Sequence, residues 1–336
     1  MSRAAALALV AALSLVAIAT LYGRTLRYGL VWMDEREIGE GEIVLGPGEP
    51  WTGAFTRTLH KSEAGVQGSN PYYRPLQILA ATAVYRAVGP LPQAYRAFSL
   101  ALAVATCFAF GALALLLFER AELALLATAL AALHPVGLES WVWISGLGEA
   151  LSAFFTIASV GLGLVFALRP GRGAIAWGAL SVGAFLLALL AKEKGIAAPA
   201  LLAAAIGALW LGRSAAFTGR AALRRGVALA GIEGALALAY LFAWRPLMLG
   251  RGLEAAPLIG GSRPSHLLSA LASWPAALLW LVAPLRSSTS DVVRIVSSPK
   301  DPMPWLGAGL AVASLGAGLW LLRRGRPVAA LGIAWI

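Results

Sequence analysis

One cysteine stands in 336 residues, Cys107, and it falls inside an apolar run. A lone thiol allows no disulfide framework and no zinc spacing, so Cys107 reads as a small apolar helix residue. Charge is scarce too, 13% of the chain against about 25% in a soluble domain. The long apolar runs lack the alternation of barrel strands, which leaves helices as the spanning element. No basic-aromatic module appears, which excludes nucleic acid as a partner. No residues stand at metal-ligand spacing, so neither a metal nor another cofactor is assigned. Internal repeats, the mark of many transporters, are not evident either.

What is present is apolar length. Hydrophobic residues make up 59% of the chain, and mean hydropathy is +0.77. Stretches of roughly twenty Ala-, Leu- and Gly-rich residues recur, enough to cross a hydrocarbon core about 30 Å thick. The first span is expected at 4–22, with further spans near 97–118, 122–140, 148–168, 174–191, 196–211, 226–249 and 303–322. Ala4 to Leu21 is long for the apolar core of a leader, so it is read as an uncleaved helix. Residues 77–89 form a weaker stretch, suited to an interfacial helix. Residues 266–285 are interrupted by Trp274-Pro275 and Ala283-Pro284 and either cross or re-enter. The apolar run from Val328 to Ile336 is too short to span, and the chain is expected to continue past it. The fold class is therefore all-α, a polytopic transmembrane bundle forming a single domain over 1–336.

The net charge of +11 follows from topology. With the N-terminus cytoplasmic, 77–89 interfacial and 266–285 not crossing, the short cytoplasmic loops collect Arg3, Arg120, Arg169, Arg172, Arg213, Arg220, Arg224, Arg225, Arg323, Arg324 and Arg326. Only Glu119 and Glu122 oppose them there. This is the positive-inside pattern, with anionic membrane lipids as its partner. It puts the chain in the inner (plasma) membrane and the long polar loop 23–76 outside the cytoplasm.

That loop opens with Asp34 and Glu35 just past the first span and ends on Tyr73-Arg74-Pro75-Leu76. The same topology brings His134-Pro135, Glu139, Glu149, Lys192-Glu193-Lys194-Gly195 and Asp291 to the same face. Ionisable groups at membrane depth are costly, and their gathering on one face points to function. Glu233 lies within a span and requires a partner or a cavity. His60 and His266 read as surface residues, and the tryptophans gather near span ends, as interfacial anchors do.

Taken in order, the acidic pair, Tyr73-Arg74-Pro75-Leu76, Leu133-His134-Pro135 with Glu139, Glu149, and Lys192-Glu193-Lys194-Gly195 resemble the membrane glycosyltransferases of the C-type fold. The nearest likeness is to the transmembrane and tetratricopeptide-repeat O-mannosyltransferases and their bacterial relatives. The resemblance covers nearly the whole chain, although relatives commonly carry two aspartates where this chain has Asp34-Glu35. It implies transfer of a hexose from a polyprenyl-phosphate carrier to an acceptor hydroxyl on protein, glycan or lipid, protein Ser/Thr being the family-led expectation. It also implies an extracytoplasmic active site and tetratricopeptide repeats beyond the membrane part. Asp34 or Glu35 is then the general base. Arg74, Lys192 and Lys194 clamp the phosphate, while His134, Glu139 and Glu193 orient sugar or phosphate. Glu149 and Asp291 are secondary candidates. The chemistry suits these residue types: a carboxylate accepts the hydroxyl proton, and cations neutralise a phosphate leaving group. No nucleotide-binding loop is needed or found. A transporter or lipid flippase is the alternative class.

Overall fold

The structure is a computed structural model that describes residues 1–60, 72–212, 219–249, 258–283 and 294–334. Among the described residues every regular element is helical. Among those residues eight helices are long and apolar enough to cross a membrane, and the chain is a multi-pass helical membrane protein. It groups into two compact units, one of Met1–Ala203 with Thr218–Leu253, the other of Ala204–Phe217 with Glu254–Ile336.

In the first unit, α1 (Arg3–Tyr22) is capped by the Ser2 side chain, which accepts from Ala5 N. It packs against α3 (Pro92–Phe118) and α4 (Ala121–Leu133). Val10 shares a cluster with Leu115 and Ala124, whereas Ile18 and Tyr22 share one with Ala103 and Ala132. These two clusters show α4 running alongside α1 from one end towards the other. The span expected over 122–140 is thus a helix of only 13 residues. Pro135 explains the break, because a residue before proline is driven out of the helical region, and His134 is extended at φ −72°, ψ 122°. The short α5 (Gly137–Val142) and a tight turn complete the passage to α6 (Leu147–Leu168). Helix α7 (Arg172–Ala191) follows, then α8 (Ala198–Leu211), of which only the residues up to Ala203 belong to this unit, and α9 (Gly219–Ala239), with α10 (Arg245–Leu249) after a π turn.

Residues 77–89 correspond to α2 (Pro75–Val88), which starts on a proline, where the missing N–H costs nothing. The described part of the long loop docks on it. Ile38, Ile43, Leu45 and Leu59 are buried with Ile78, Ala81 and Tyr95. Leu45 N donates to Thr82 Oγ1 at 3.0 Å, and Arg86 donates to Glu49 O at 2.7 Å. His60, expected at the surface, is buried instead. Its Nε2 lies 3.0 Å from Glu37 Oε1, a partner 23 residues upstream that spacing alone does not reveal.

Glu233 finds its partners within the bundle: Ser181 Oγ donates to its Oε1 at 2.8 Å and Ser159 Oγ at 3.2 Å. Those bonds tie α9 to α6 and α7.

In the second unit, the run from 266 to 282 lies in one continuous helix, α11 (Arg263–Val282), with Pro275 inside it; Ala283 leaves the helix, and Pro284 lies outside the described residues. Proline withholds the hydrogen bond from the carbonyl four residues back, here Leu271 O. That oxygen is met by Gly307 of α12 (Pro302–Arg323), so closely that a Cβ at 307 would sit 1.8 Å from it. A small residue lets the two backbones approach and eases the freed carbonyl. Ser265 Oγ donates to Val296 O (2.8 Å) and Ser269 Oγ accepts from Val296 N (2.9 Å), pinning the segment that enters α12. A last helix, α13, covers Pro327–Ala334.

Candidate functional site

Two polar centres lie at the same end of the first unit, where α1 exits and where α3 and α6 begin. The first is built on Asp34. Its Oδ1 accepts from Ser145 N and from Ser145 Oγ, both at 2.9 Å. Its Oδ2 accepts from Val31 N at 3.3 Å and stands 3.9 Å from Arg96 Nη2. Asp34 is 0% exposed and Arg96 1%. Arg96 is also spent on carbonyls: it donates to Gly29 O at 2.6 Å, to Tyr28 O at 3.4 Å and to Val142 O. One guanidinium thus binds the exit of α1 to the turn before α6. Burial pushes the Asp34 carboxyl above its ordinary range, while the Ser145 and Val31 bonds and the Arg96 charge pull back. Glu35, its neighbour, is exposed.

The second centre gathers residues far apart in sequence. Lys192 donates to Glu149 Oε1, and Lys194 reaches the same oxygen at 3.1 Å. Arg74 Nη2 meets Glu193 Oε2 at 3.3 Å and its guanidinium covers the Tyr72 ring at 4.3 Å. Burial, with Arg74 and Lys194 adding to it, lowers the Lys192 pKa, and Glu149 offsets part of that. The turn that carries these lysines folds back on the end of α7 because residue 195 is glycine: a Cβ there would lie 2.6 Å from the Ala188 carbonyl carbon. Lys194 remains 72% exposed, so this centre is open where the first is sealed.

Gln77 stands between the two. Its amide donates to Ser145 O at 3.4 Å, and a Cβ on Gly148 would lie 2.3 Å from its Oε1. Among the described residues that oxygen is buried without a hydrogen-bond partner.

Beside the open centre lies a cavity of about 450 Å³, lined by Leu186, Leu189, Leu190, Leu236, Tyr240, Trp244 and other apolar side chains. Tyr240 joins it to the polar groups: its hydroxyl donates to Leu189 O (3.2 Å) and its ring lies 6.2 Å from that of Tyr73, next to Arg74. Trp244 Nε1 closes the corner on Tyr73 Oη at 3.0 Å.

The structure therefore brings Arg74, Glu149, Lys192, Glu193 and Lys194 together and holds Asp34 apart with Arg96 and Ser145. Glu139 is exposed on α5 with no ion pair among the described residues. His134 accepts from Val136 N at 3.2 Å, which stabilises its own turn. Asp291 lies outside the described residues. Sequence reasoning missed Arg96, Ser145 and Gln77. Arg96 carried the clearest signal, a guanidinium one turn inside an apolar helix, where an unpaired charge is expensive.

No protein-family model, no curated protein and no solved structure matches this chain.

Proposed function

We propose that this protein transfers a sugar, a hexose by the family resemblance, from a polyprenyl-phosphate carrier to an acceptor hydroxyl at this end of the bundle. The observation that carries the reading is the apolar cavity lined by Leu189, Leu190 and Tyr240, a lining that runs on in the chain to Lys192 and is joined through Tyr73 to its neighbour Arg74. A prenyl chain needs an apolar channel, and its phosphate needs cations at the channel mouth. Pockets of about 300–1,000 Å³ hold ligands or ligand segments of that kind. Glu149 and Glu193 keep the cations aligned while no phosphate is bound. As a phosphate arrives, Arg and Lys exchange a carboxylate partner for a phosphoryl one, and they stabilise the leaving group as the glycosidic bond breaks.

Glu35 is the carboxylate with access to an acceptor hydroxyl, so the reading gives it the role of general base. Asp34 has no free surface and serves as the positioning residue that fixes the turn presenting Glu35.

Purified protein in lipid nanodiscs, supplied with polyprenyl-phosphate hexoses and hydroxyl-bearing acceptors, tests this by acceptor mass. The expected result is a hexose added by the wild type and lost in Glu35→Gln. Transfer at full rate by Glu35→Gln removes the base role. No transfer from any polyprenyl-phosphate hexose removes the function.

A further inference from the structure

The turns that seal Asp34 also carry two aromatic rings. Trp32 and Trp143 stack with centroids 5.3 Å apart and planes 8° from parallel. Only one face of Trp32 is used in this way, for the residue keeps 70% of its surface exposed. Its φ is 51°, a left-handed conformation that a bulky residue holds only where its surroundings impose it. Here they do. Asp34, two positions on, binds Val31 N behind Trp32 and binds Ser145, two positions after Trp143. The bonds that bury the carboxylate thus fix both rings in place.

Exposed carboxylates flank the stack in the chain. Glu35 N donates to Trp32 O at 3.3 Å, and Trp143 N donates to Glu139 O at 3.3 Å. Both glutamates are exposed. A fixed aromatic face is electron-rich at its centre and attracts polarised C–H bonds. A carboxylate accepts hydrogen bonds from hydroxyls, and the backbones of Glu35 and Glu139 are hydrogen-bonded directly to those of the two rings. A ligand with a C–H face and a hydroxyl rim fits both demands, and a pyranose ring has that form. We propose that Trp32, backed by Trp143, is a stacking platform for a pyranoside, with Glu35 and Glu139 as acceptors for its hydroxyls. The proposal rests on the transferase reading and narrows it, since a sugar ring held beside Glu35 makes the acceptor a glycan.

The test uses the full chain in nanodiscs and saturation-transfer NMR. The probes are methyl α-mannopyranoside, methyl β-glucopyranoside and methyl β-galactopyranoside. Ring C–H protons of at least one glycoside should receive saturation from the wild type. Trp32→Phe should retain that signal, and Trp32→Leu, which keeps apolar bulk without the π face, should weaken it about fivefold or more. Quenching by brominated lipids, read as the difference between wild type and Trp32→Phe, should leave Trp32 emission unaffected. Equal signals in Trp32→Leu, no signal with any glycoside, or strong quenching of Trp32 as an interfacial anchor would each overturn the platform. Transfer from a polyprenyl-phosphate hexose is measured on the same samples. Glycoside binding without transfer counts against the transferase reading alone, and transfer without glycoside binding counts against the platform alone.

Discussion

The two polar centres use the same kinds of side chain to opposite ends. Around Asp34, each carboxylate oxygen is occupied and Arg96 is committed to three carbonyls as well. Nothing there is free to exchange partners. Around Glu149 and Lys192, one carboxylate is shared by two lysines and Lys194 still faces outward. The buried Asp34–Arg96 pair holds geometry because breaking it strands a charge; Lys194, largely exposed beside a part-buried Lys192, makes a weak contact that is easily re-partnered. The sealed centre is thus the joint of the bundle's end and the open one is where a ligand's charge can be met.

Substitutions should separate the two centres sharply. Arg96→Ala should be the most damaging, because it strands Asp34 and three carbonyls: a loss of about 3–5 kcal/mol, read as loss of folded protein in size-exclusion chromatography. Lys192→Met should leave that profile intact and slow sugar transfer by about 100-fold or more, the scale for deleting one transition-state charge contact. A folding defect in Lys192→Met with normal turnover would reverse the assignment of the two centres. Gly148→Ala should cost about 1–3 kcal/mol through overpacking on Gln77, seen as a lower thermal midpoint. The smallest effect is in pH dependence. Burial raises the Asp34 pKa in the fold above its ordinary value of 3.8, so between that value and the raised one the folded state holds more proton than the unfolded. Stability should therefore fall as pH rises through this window and then level off, and Asp34→Asn should flatten the slope of thermal midpoint against pH.

Much of this was legible in the chain. The runs 148–168 and 174–191 correspond to α6 and α7 within two residues at either end, since twenty apolar residues leave few alternatives to a helix. Local chemistry misled at His134-Pro135, which ends α4 early, and left 266–285 open. Trp274-Pro275 does not end α11, because Gly307 on a neighbouring helix accommodates the freed carbonyl. Whether a proline breaks a helix was decided by a partner that sequence spacing does not show. The nearness of Glu149 to the Lys192-Glu193-Lys194 turn was legible, for these are charges at span ends with few places to go. The sealed centre was not, because Ser145 and Gln77 are ordinary polar residues until Asp34 is folded against them.

The central claim is that the cations beside the apolar cavity receive a lipid-linked phosphate. The most direct measurement is the rate of labelled-hexose transfer from a polyprenyl-phosphate donor by wild type and Lys192→Met in identical nanodiscs. The account predicts measurable transfer by the wild type and a rate about 100-fold lower in the folded variant. Equal rates, or no transfer by the wild type from any such donor, would contradict it.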